Sequence, residues 1–562
     1  MSEYSSLRSP FANMSFTPDV PSNALGPNEY SSGLNVEADV RGIKKVFGEV
    51  DIATAIPNIA LFMDGGFLQN TGDPNAVVWS YIVATRDSSN HGRWYQVKAT
   101  GAVKNITPGY GANPSAYIDG YTENINITTS WVGNVFFIND GLSAPMYYRA
   151  TQDEIYYYDA APNNYIWNYE IGLSPSVTKV VANFMRNYCS PNVGNILIAG
   201  NLTKTYASGS VINYPTTVRW SQQFANTGVP TDWSPKLSNV ANEVEIPVRG
   251  PIIDGFFLGG NFYVCSYWDT VVFSPIAYQS SNAPIFGIRL FNQGRGLFNN
   301  NTWSNTDSNV YGVDARDIWV FDGSNFQPLG NQRVRDYFFA NINTALDSAG
   351  QPYADRMFMV NNTQKNQIEI YYPDKNSTSW CNKMLSWRYD IQVWNAPKDV
   401  QYACAGCEGP RWIDASTDYF NLASRTVVYA KGGTASQKLV ETSIGNSFSG
   451  NTIPVLFERT NVALVSTDGP VPFSSKVYVH RLMPEISGTG TINITIGGAN
   501  STAQTAVYGQ TGTVSIVTDN PWVTTQQNTF RTIALKIESN DATNAFNLTA
   551  MNWQATVTED AY

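Results

Sequence analysis

The residues of this sequence that could carry out chemistry begin with its cysteines and histidines. Cys404 and Cys407 form a C-x-x-C pair, and Cys381 lies upstream of them. A closed zinc site needs four ligands, and the only two histidines, His91 and His480, are distant in sequence. The chain has five cysteines, and this odd count argues against a disulfide framework. We therefore predict reduced thiols, no bound metal and no cofactor.

Carboxylates are the second group that could act on a substrate. Asp314, Asp317 and Asp322 lie close together, although capping and turn formation account for such spacing. Glycoside hydrolysis needs only two carboxylates, so the sequence leaves that chemistry open. The chain has no G-x-S-x-G, H-E-x-x-H, phosphate-binding loop or dinucleotide fingerprint. We predict that the protein is not an enzyme, with no catalytic, cofactor-binding or metal-binding residues to name.

Two arginines, Arg333 and Arg335, stand where the pattern of segment 317–343 changes. The apolar run around Trp319 ends at Asp322-Gly323, a dipeptide that favours a tight hairpin. Apolar residues then recur at every fourth position, as on one face of a short helix: Val334, Phe338, Ile342 and Leu346. The arginines do not share a helix face. Either they are surface charges that pair with carboxylates nearby, or one reaches across a subunit interface.

The charge balance limits the possible partners. The formal net charge is −10 and the pI is near 4.9, with no run of lysines and arginines that could follow a phosphate backbone. We therefore expect no tight nucleic-acid binding, because its affinity comes mainly from basic groups that displace counterions. No apolar run approaches the roughly 20 residues that span a bilayer, so we expect no membrane insertion. The first residues do not resemble a secretory signal, so we expect a protein made in a cytoplasm.

The elements that must position these residues are nearly all strands, which predicts an all-β fold with few short helices. Short β-runs bounded by Gly, Pro, Asn or Asp include 134–138, 154–159, 195–200, 261–275, 317–321, 356–360 and 367–372. Groups of strands return about every 40 to 60 residues, which fits four-stranded blades. Residues 56–400 are therefore predicted to form an irregular β-propeller-like domain, with a long sandwich as the structural alternative.

The ends of the chain differ in character. Residues 401–450 are polar and rich in glycine, and we interpret them as connecting loops. In residues 451–562 apolar and polar residues alternate along the strands, which predicts a C-terminal antiparallel β-sandwich or platform domain. Their inward series are Ile492, Ile494 and Ile496; Ile533, Leu535 and Ile537; and Met551, Trp553, Ala555 and Val557. Residues 1–55 are punctuated by proline and predict an extended segment that contacts a neighbour or pairs with the last domain.

The order of several segments resembles a known family. The segments are "PNEYSSGLNVEADVRGIKKVFGEV" (27–50), "SWVGNVFFINDGLSAPMYY" (130–148), "YPTTVRWSQQFANTGVPTDWSP" (214–235), "RGPIIDGFFLGGNFYVCSYWDTVVFSP" (249–275) and "VFDGSNFQPLGNQRVRDYFF" (320–339). Together they resemble the nozzle, or tail-tube, proteins of short-tailed bacteriophages, also described as packaged-DNA stabilisation proteins. The matching segments span most of the chain. They are structural, so the resemblance carries over no catalytic residue.

The resemblance implies a structural virion protein of the viral tail. It implies a homo-oligomer, a hexameric ring below the portal-adaptor protein, that retains packaged double-stranded DNA and conducts it without tight binding. It also implies contact with a tail fibre, spike or tail-tip protein, and assembly in the host cytoplasm. The aromatic content and the scattered acidic residues support a second interpretation, which stays open. It is a carbohydrate-binding or carbohydrate-cleaving β-propeller that recognises a receptor.

Overall fold

Strands make up nearly all of the regular structure in the computed structural model of the protein. The prediction of an all-β protein with few short helices is confirmed. The structure describes residues 5–52, 56–70, 73–98, 101–149, 154–160, 165–170, 176–191, 193–276, 285–412, 420–433, 438–462, 464–466, 469–470, 474–501, 504–516, 522–524 and 529–559. Across these ranges, no helix is both long and apolar enough to cross a bilayer.

The N-terminal segment consists of short strands rather than a free tail. They are β1 (Ser5–Pro10), β2 (Ser15–Phe16), β3 (Glu29–Tyr30), β4 (Ser32–Leu34), β5 (Val36–Asp39), β6 (Gly42–Lys45) and β7 (Glu49–Asp51). Of these, only β2 with β3 and β5 with β6 pair with each other. The remaining pairings of this segment are with distant parts of the chain, described below.

Five successive antiparallel meanders follow, among the described residues. The first contains β8 (Ile59–Asn70), β9 (Asp73–Arg86), β10 (His91–Lys98), β11 (Val103–Asn105) and β12 (Ile118–Asp119), and the second β13 (Thr128–Val132), β14 (Val135–Asn139), β15 (Met146–Arg149) and β16 (Glu154–Tyr157). The third contains β17 (Val177–Ser190), β18 (Gly194–Tyr206), β19 (Val211–Trp220) and β20 (Asn242–Glu245). The fourth contains β21 (Ile252–Leu258), β22 (Asn261–Ser266), β23 (Asp269–Pro275) and β24 (Phe286–Gln293), and the fifth β25 (Trp303–Asn305), β26 (Val310–Val313), β27 (Ile318–Phe321) and β28 (Phe326–Pro328).

Short helical turns separate the fifth meander from the next sheet. The described ranges contain one α-helix, α1 (Arg335–Asn341), and three 3-10 turns at Ser22–Ala24, Leu329–Gln332 and Tyr353–Arg356. Helix α1 is shorter than the predicted apolar face. Ile342 has an extended backbone at the C-cap, and Leu346 is 63% exposed. Val334, Phe338 and Ile342 of that series are buried, and of these only Phe338 lies within the helix. Leu346 lies beyond the helix, where it forms an isolated β-bridge with Pro352.

A sixth, larger sheet has ten strands in the described ranges and recruits β7 from the N-terminal segment. Its other strands are β29 (Phe358–Asn362), β30 (Gln367–Tyr372), β31 (Cys381–Arg388), β32 (Val393–Trp394), β33 (Lys398–Trp412), β34 (Phe420–Lys431), β35 (Leu439–Thr442), β36 (Ser447–Phe448) and β37 (Asn451–Thr452). The interpretation of 401–450 as connecting loops is therefore wrong. Gly409 lies within β33, and the Tyr81 side chain fills the space that a Cβ would take there. This glycine therefore marks close packing and not a loop.

Two sheets form the C-terminal part around one core. Their strands, with one separate hairpin, are β38 (Val455–Val462), β39 (Val465–Ser466), β40 (Gly469–Pro470), β41 (Ser475–Thr489), β42 (Thr491–Ala499), β43 (Val507–Ser515), β44 (Val523–Thr524), β45 (Thr529–Phe530), β46 (Thr532–Ser539) and β47 (Ala545–Glu559). The predicted inward series are buried, apart from Val557, which is partly buried. Strands β1 and β6 pair with β47, and β4 pairs with β38.

The C-terminal core is not closed off from the rest of the molecule. One hydrophobic cluster joins Trp553 and Leu535 of the C-terminal sheets to Phe11 of the N-terminal segment. The same cluster continues to Ile318 of the fifth meander and Ile370 of the sixth sheet. The two ends of the chain and its centre therefore share one core.

Neighbouring sheets pack in chain order. Contacts run from β13 to β17, from β17 to β21 and from β25 to β29, and β33 of the sixth sheet returns to β8 of the first. The fourth and fifth meanders share a core that includes Cys265 and Trp319. The described strands do not merge into one closed sheet. The propeller-like arrangement stays an interpretation, which this cyclic order of contacts supports.

Candidate functional site

A cavity of about 290 Å³ lies where the meanders meet, and we call it the axial cavity. All five meanders, the sixth sheet and the turns before their strands contribute to its lining. One representative of each, in chain order, is Phe62, Asn126, Asn183, Ile253, Asn300 and Phe358. Its walls are rich in side-chain amides, and the five meanders and the sixth sheet together form them.

Asparagine side chains fix the wall of the axial cavity by joining one meander to the next. Asn126 Nδ2 donates to Asn183 Oδ1 at 2.7 Å, and Asn183 Nδ2 donates to the Ile253 carbonyl at 3.3 Å. Asn300 Nδ2 donates to the Asn183 carbonyl at 3.0 Å. An amide can donate and accept at once, so one side chain can connect two strands that share no ladder. The second to fifth meanders are joined in this way.

Arg356 is the charged centre of the same wall. Its side chain is only 3% exposed, and its Nη2 lies 2.9 Å from Asp347 Oδ2 and 3.2 Å from Glu123 Oε2. Its Nη1 donates to the Ser379 carbonyl at 3.0 Å, and the guanidinium packs 5.0 Å from the Trp380 ring centroid. A buried guanidinium is tolerated when carboxylates and carbonyls surround it in this way.

Asp355, next to Arg356 in the chain, lines the cavity and is open to solvent. Desolvation by the surrounding protein, followed by the nearby negative charge of Asp347, raises the pKa of its carboxyl to about 6. No side-chain hydrogen bond to this carboxyl occurs within the described residues. It is therefore an acceptor without a donor at the cavity wall.

A second cavity, of about 350 Å³, lies beside a buried ion pair. Arg186 reaches Asp254 through Nε at 3.0 Å and Nη2 at 2.5 Å, and Asp254 is fully buried. Trp303 Nε1 donates to the same carboxylate at 2.7 Å. The pair connects the third, fourth and fifth meanders. Its carboxylate is saturated with donors, as expected for a structural ion pair.

Asp64 lines this second cavity and is likewise engaged. It accepts from Thr129 Oγ1 at 2.6 Å and from Trp131 Nε1 at 3.1 Å. Burial nevertheless raises its pKa above the ordinary value. Cys407 lies in the same lining, and burial and the Asp64 charge raise the pKa of its thiol well above normal. A thiol of this kind is a poor nucleophile.

The residues predicted from sequence do not converge on a site. Arg333 pairs with Glu29 of the N-terminal segment, and Arg335 Nε donates to the Arg316 carbonyl at 2.7 Å. Both arginines thus bind within the chain. Asp19, from the same segment, accepts from the backbone amides at the start of α1.

The grouped aspartates serve turns and one local ion pair. Asp314 and Asp317 both contact Arg295, at 3.2 and 3.0 Å. Asp322 accepts from the backbone amides of Ser324 and Asn325 and so closes the predicted hairpin. Turn formation and the ion pair with Arg295 account for all three carboxylates.

The cysteines and histidines are also separate. All five cysteines are free thiols. Cys381 and Cys404 are buried, and burial raises the pKa of both thiols. His91 contacts Asp87 at 3.2 Å, and His480 contacts Thr556 at 2.7 Å. In the part of the chain that the structure describes, no three His, Cys, Asp or Glu residues come together as a metal site would require.

Sequence reasoning missed the axial cavity and the residues around Arg356. The one visible signal was the run Asn299–Asn301, unusual in its density of amides. Asn299 Nδ2 donates to the carbonyls of Asp355 and Met357, at 2.8 and 3.0 Å. No local periodicity shows which distant strands such a run will join. No protein-family model matches the chain, and no curated protein is detectably similar to it in sequence.

Proposed function

We propose that the protein is a structural subunit of a bacteriophage tail nozzle. In this proposal, copies of the chain form a hexameric ring around the DNA exit channel, below the portal-adaptor protein. The ring retains packaged DNA and conducts it during ejection, and a tail fibre, spike or tail-tip protein binds it. The chain acts in the virion tail, after assembly in the host cytoplasm.

The observation that carries the proposal is that arginines pair with carboxylates of the same chain. Four arginines with little exposed surface are neutralised within the chain: Arg186 by Asp254, Arg219 by Glu243, Arg295 by Asp314 and Asp317, and Arg356 by Asp347. The net charge is −10. A negatively charged channel wall does not bind a passing DNA duplex, because phosphate binding requires accessible cations.

The shared core supports the same proposal. A ring subunit under pressure from packaged DNA must resist separation of its parts. Strand β1 pairs with β47 from Ser5↔Ala555 to Pro10↔Ala550, so the two ends of the chain are hydrogen-bonded together. A head-to-tail interface between such rigid copies closes into a ring when the rotation is favourable.

The test is the fate of DNA in particles assembled without this chain. We expect heads that fill with DNA and then lose it, and that regain stable packaging when the chain is supplied in trans. Particles that retain and eject DNA normally without the chain would overturn the proposal.

A further inference from the structure

An exposed aromatic pair lies beside the axial cavity. Tyr267 and Trp268 occupy the turn between β22 and β23, and they are 37% and 43% exposed. Their ring centroids are 6.0 Å apart. Tyr267 is itself part of the cavity lining. Adjacent large aromatic side chains that are exposed to solvent beside a cavity suggest a binding surface.

The turn holds this pair rigidly. Ser266 Oγ accepts from the backbone amides of Trp268 and Asp269, at 3.2 and 3.0 Å. Arg249 forms a two-pronged contact with the Asp269 carboxylate, at 2.6 and 3.0 Å. Gly250 lies against the Trp268 ring, where an added Cβ would approach to 3.0 Å. The Tyr267–Trp268 pair, which we call the platform, is therefore preorganised, and this lowers the entropic cost of binding.

The cavity behind the platform offers hydrogen-bond acceptors. The lining residues Asn126, Asn201 and Asn300 each use Nδ2 to donate to protein acceptors. Their Oδ1 atoms accept no hydrogen bond from any described residue, and neither does the Asp355 carboxylate. A ligand with several hydroxyl donors satisfies such a set.

The charge of the lining selects against anions. Asp355 and Glu123 are acidic, and the one guanidinium, Arg356, is occupied by Glu123 and Asp347. A volume of about 290 Å³ is at the small end for a ligand site, so it fits one end of a chain rather than its length. Sugars combine hydroxyl donors with a C–H face that stacks on an aromatic ring.

We propose that the axial cavity and the Tyr267–Trp268 platform bind the terminal sugar of a neutral glycan. The ring of that sugar stacks on the Tyr267 ring, which is inclined by 55° to that of Trp268, and its hydroxyls donate to Asp355 and to the amide oxygens of the wall. This binding is a second role, independent of whether the chain forms a nozzle.

The experiment is a titration of the purified full-length chain with methyl glycosides of glucose, galactose and N-acetylglucosamine, and with glucuronate. Saturation-transfer NMR detects the contact, and calorimetry gives the affinity. We expect a Kd of about 1–10 mM for at least one neutral glycoside and at least tenfold weaker binding of glucuronate. No binding of any neutral glycoside below about 50 mM would overturn the proposal, as would equal affinity for glucuronate.

Variants separate the site from general surface effects. Tyr267→Ala, which removes the aromatic ring that lines the cavity, should weaken binding of the neutral glycoside at least tenfold. Trp522→Ala is the matched control, because Trp522 is 39% exposed and lies outside the lining. Asp355→Asn should also weaken binding while the protein stays folded, so loss of structure cannot explain its effect. Affinity unchanged in both site variants would overturn the proposal, and so would equal losses in Tyr267→Ala and Trp522→Ala.

Discussion

Asp355 shows how a single carboxyl group links the cavity to the stability of the fold. Its folded-state pKa of about 6 lies above that of an unfolded aspartate, because it is desolvated and faces Asp347. Above pH 6 the folded protein therefore holds a destabilised charge. As the pH falls through 6, the folded state takes up a proton before the unfolded state does, and the protein gains stability.

The substitution Asp355→Asn tests this sign. At pH 7.5 we expect the variant to melt at a higher temperature than the wild type, since the unfavourable charge is gone. The difference should shrink below pH 6 and vanish near pH 4. Asp322→Asn is the control of opposite sign, because backbone amides lower the pKa of Asp322. A pH-independent difference for Asp355→Asn would contradict the assignment.

Arg459 is a buried cation of a different kind from the paired arginines. It is 2% exposed, and its contacts are the Met14 sulfur at 3.9 Å and the Gly26 carbonyl at 3.4 Å. No ion pair to it occurs within the described ranges. Desolvation lowers its pKa to about 10. A charge buried without a carboxylate destabilises the native state.

We predict that Arg459→Met stabilises the protein by about 1–3 kcal/mol, measured by denaturant unfolding. The matched variant is Arg219→Met, which removes a fully buried arginine from Glu243 and two backbone carbonyls. That variant should lose about 3–5 kcal/mol, because the carboxylate is left without its partner. Equal effects of the two substitutions would show that pairing is not what distinguishes the arginines.

At the scale of elements, Gly409 of β33 decides how closely the sixth sheet can approach the first. A Cβ at Gly409 would collide with the Tyr81 hydroxyl group. We expect Gly409→Ala to cost about 1–3 kcal/mol through overpacking. The control is Gly287→Ala in β24, where a Cβ would meet only ordinary contacts, the nearest at 3.8 Å. If both variants unfold at the same denaturant concentration, β33 and β9 are not packed as described.

The individual strands were largely predictable from sequence, and their partners were not. The runs at 134–138 and 367–372 became β14 and β30, because β-branched and aromatic residues bounded by turn residues signal a strand locally. One partner was anticipated, because the N-terminal segment was expected to contact a neighbour or to pair with the last domain, and β1 does pair with β47. The strand involved and the register of that pairing leave no local signal. For the same reason, the amide links of the axial cavity and the cap of α1 by Asp19 were invisible.

The segment 401–412 shows the opposite failure. Its small residues and two glycines resemble a loop by composition, yet they form the long strand β33. In the centre of a packed body, small residues let neighbouring strands approach, so composition alone misleads. The outcome depends on Tyr81, more than three hundred positions away.

At the scale of the whole molecule, the charge balance predicts weak association with DNA. We expect a Kd above about 10 μM for a duplex oligonucleotide at physiological salt, measured by fluorescence anisotropy, because little counterion release is available. Lowering the salt should change the affinity only slightly. Submicromolar binding with a steep salt dependence would show that accessible cations line a DNA-binding surface.

The central proposal is that this chain surrounds a channel for DNA. The measurement that tests it most directly is a cryo-electron microscopy reconstruction of the tail of intact virions, into which the fold is docked. The proposal predicts a ring of copies around the tail axis, between the adaptor and the tail tip, with DNA density or an open channel inside. Copies located away from the axis, in a fibre or a spike, would contradict it.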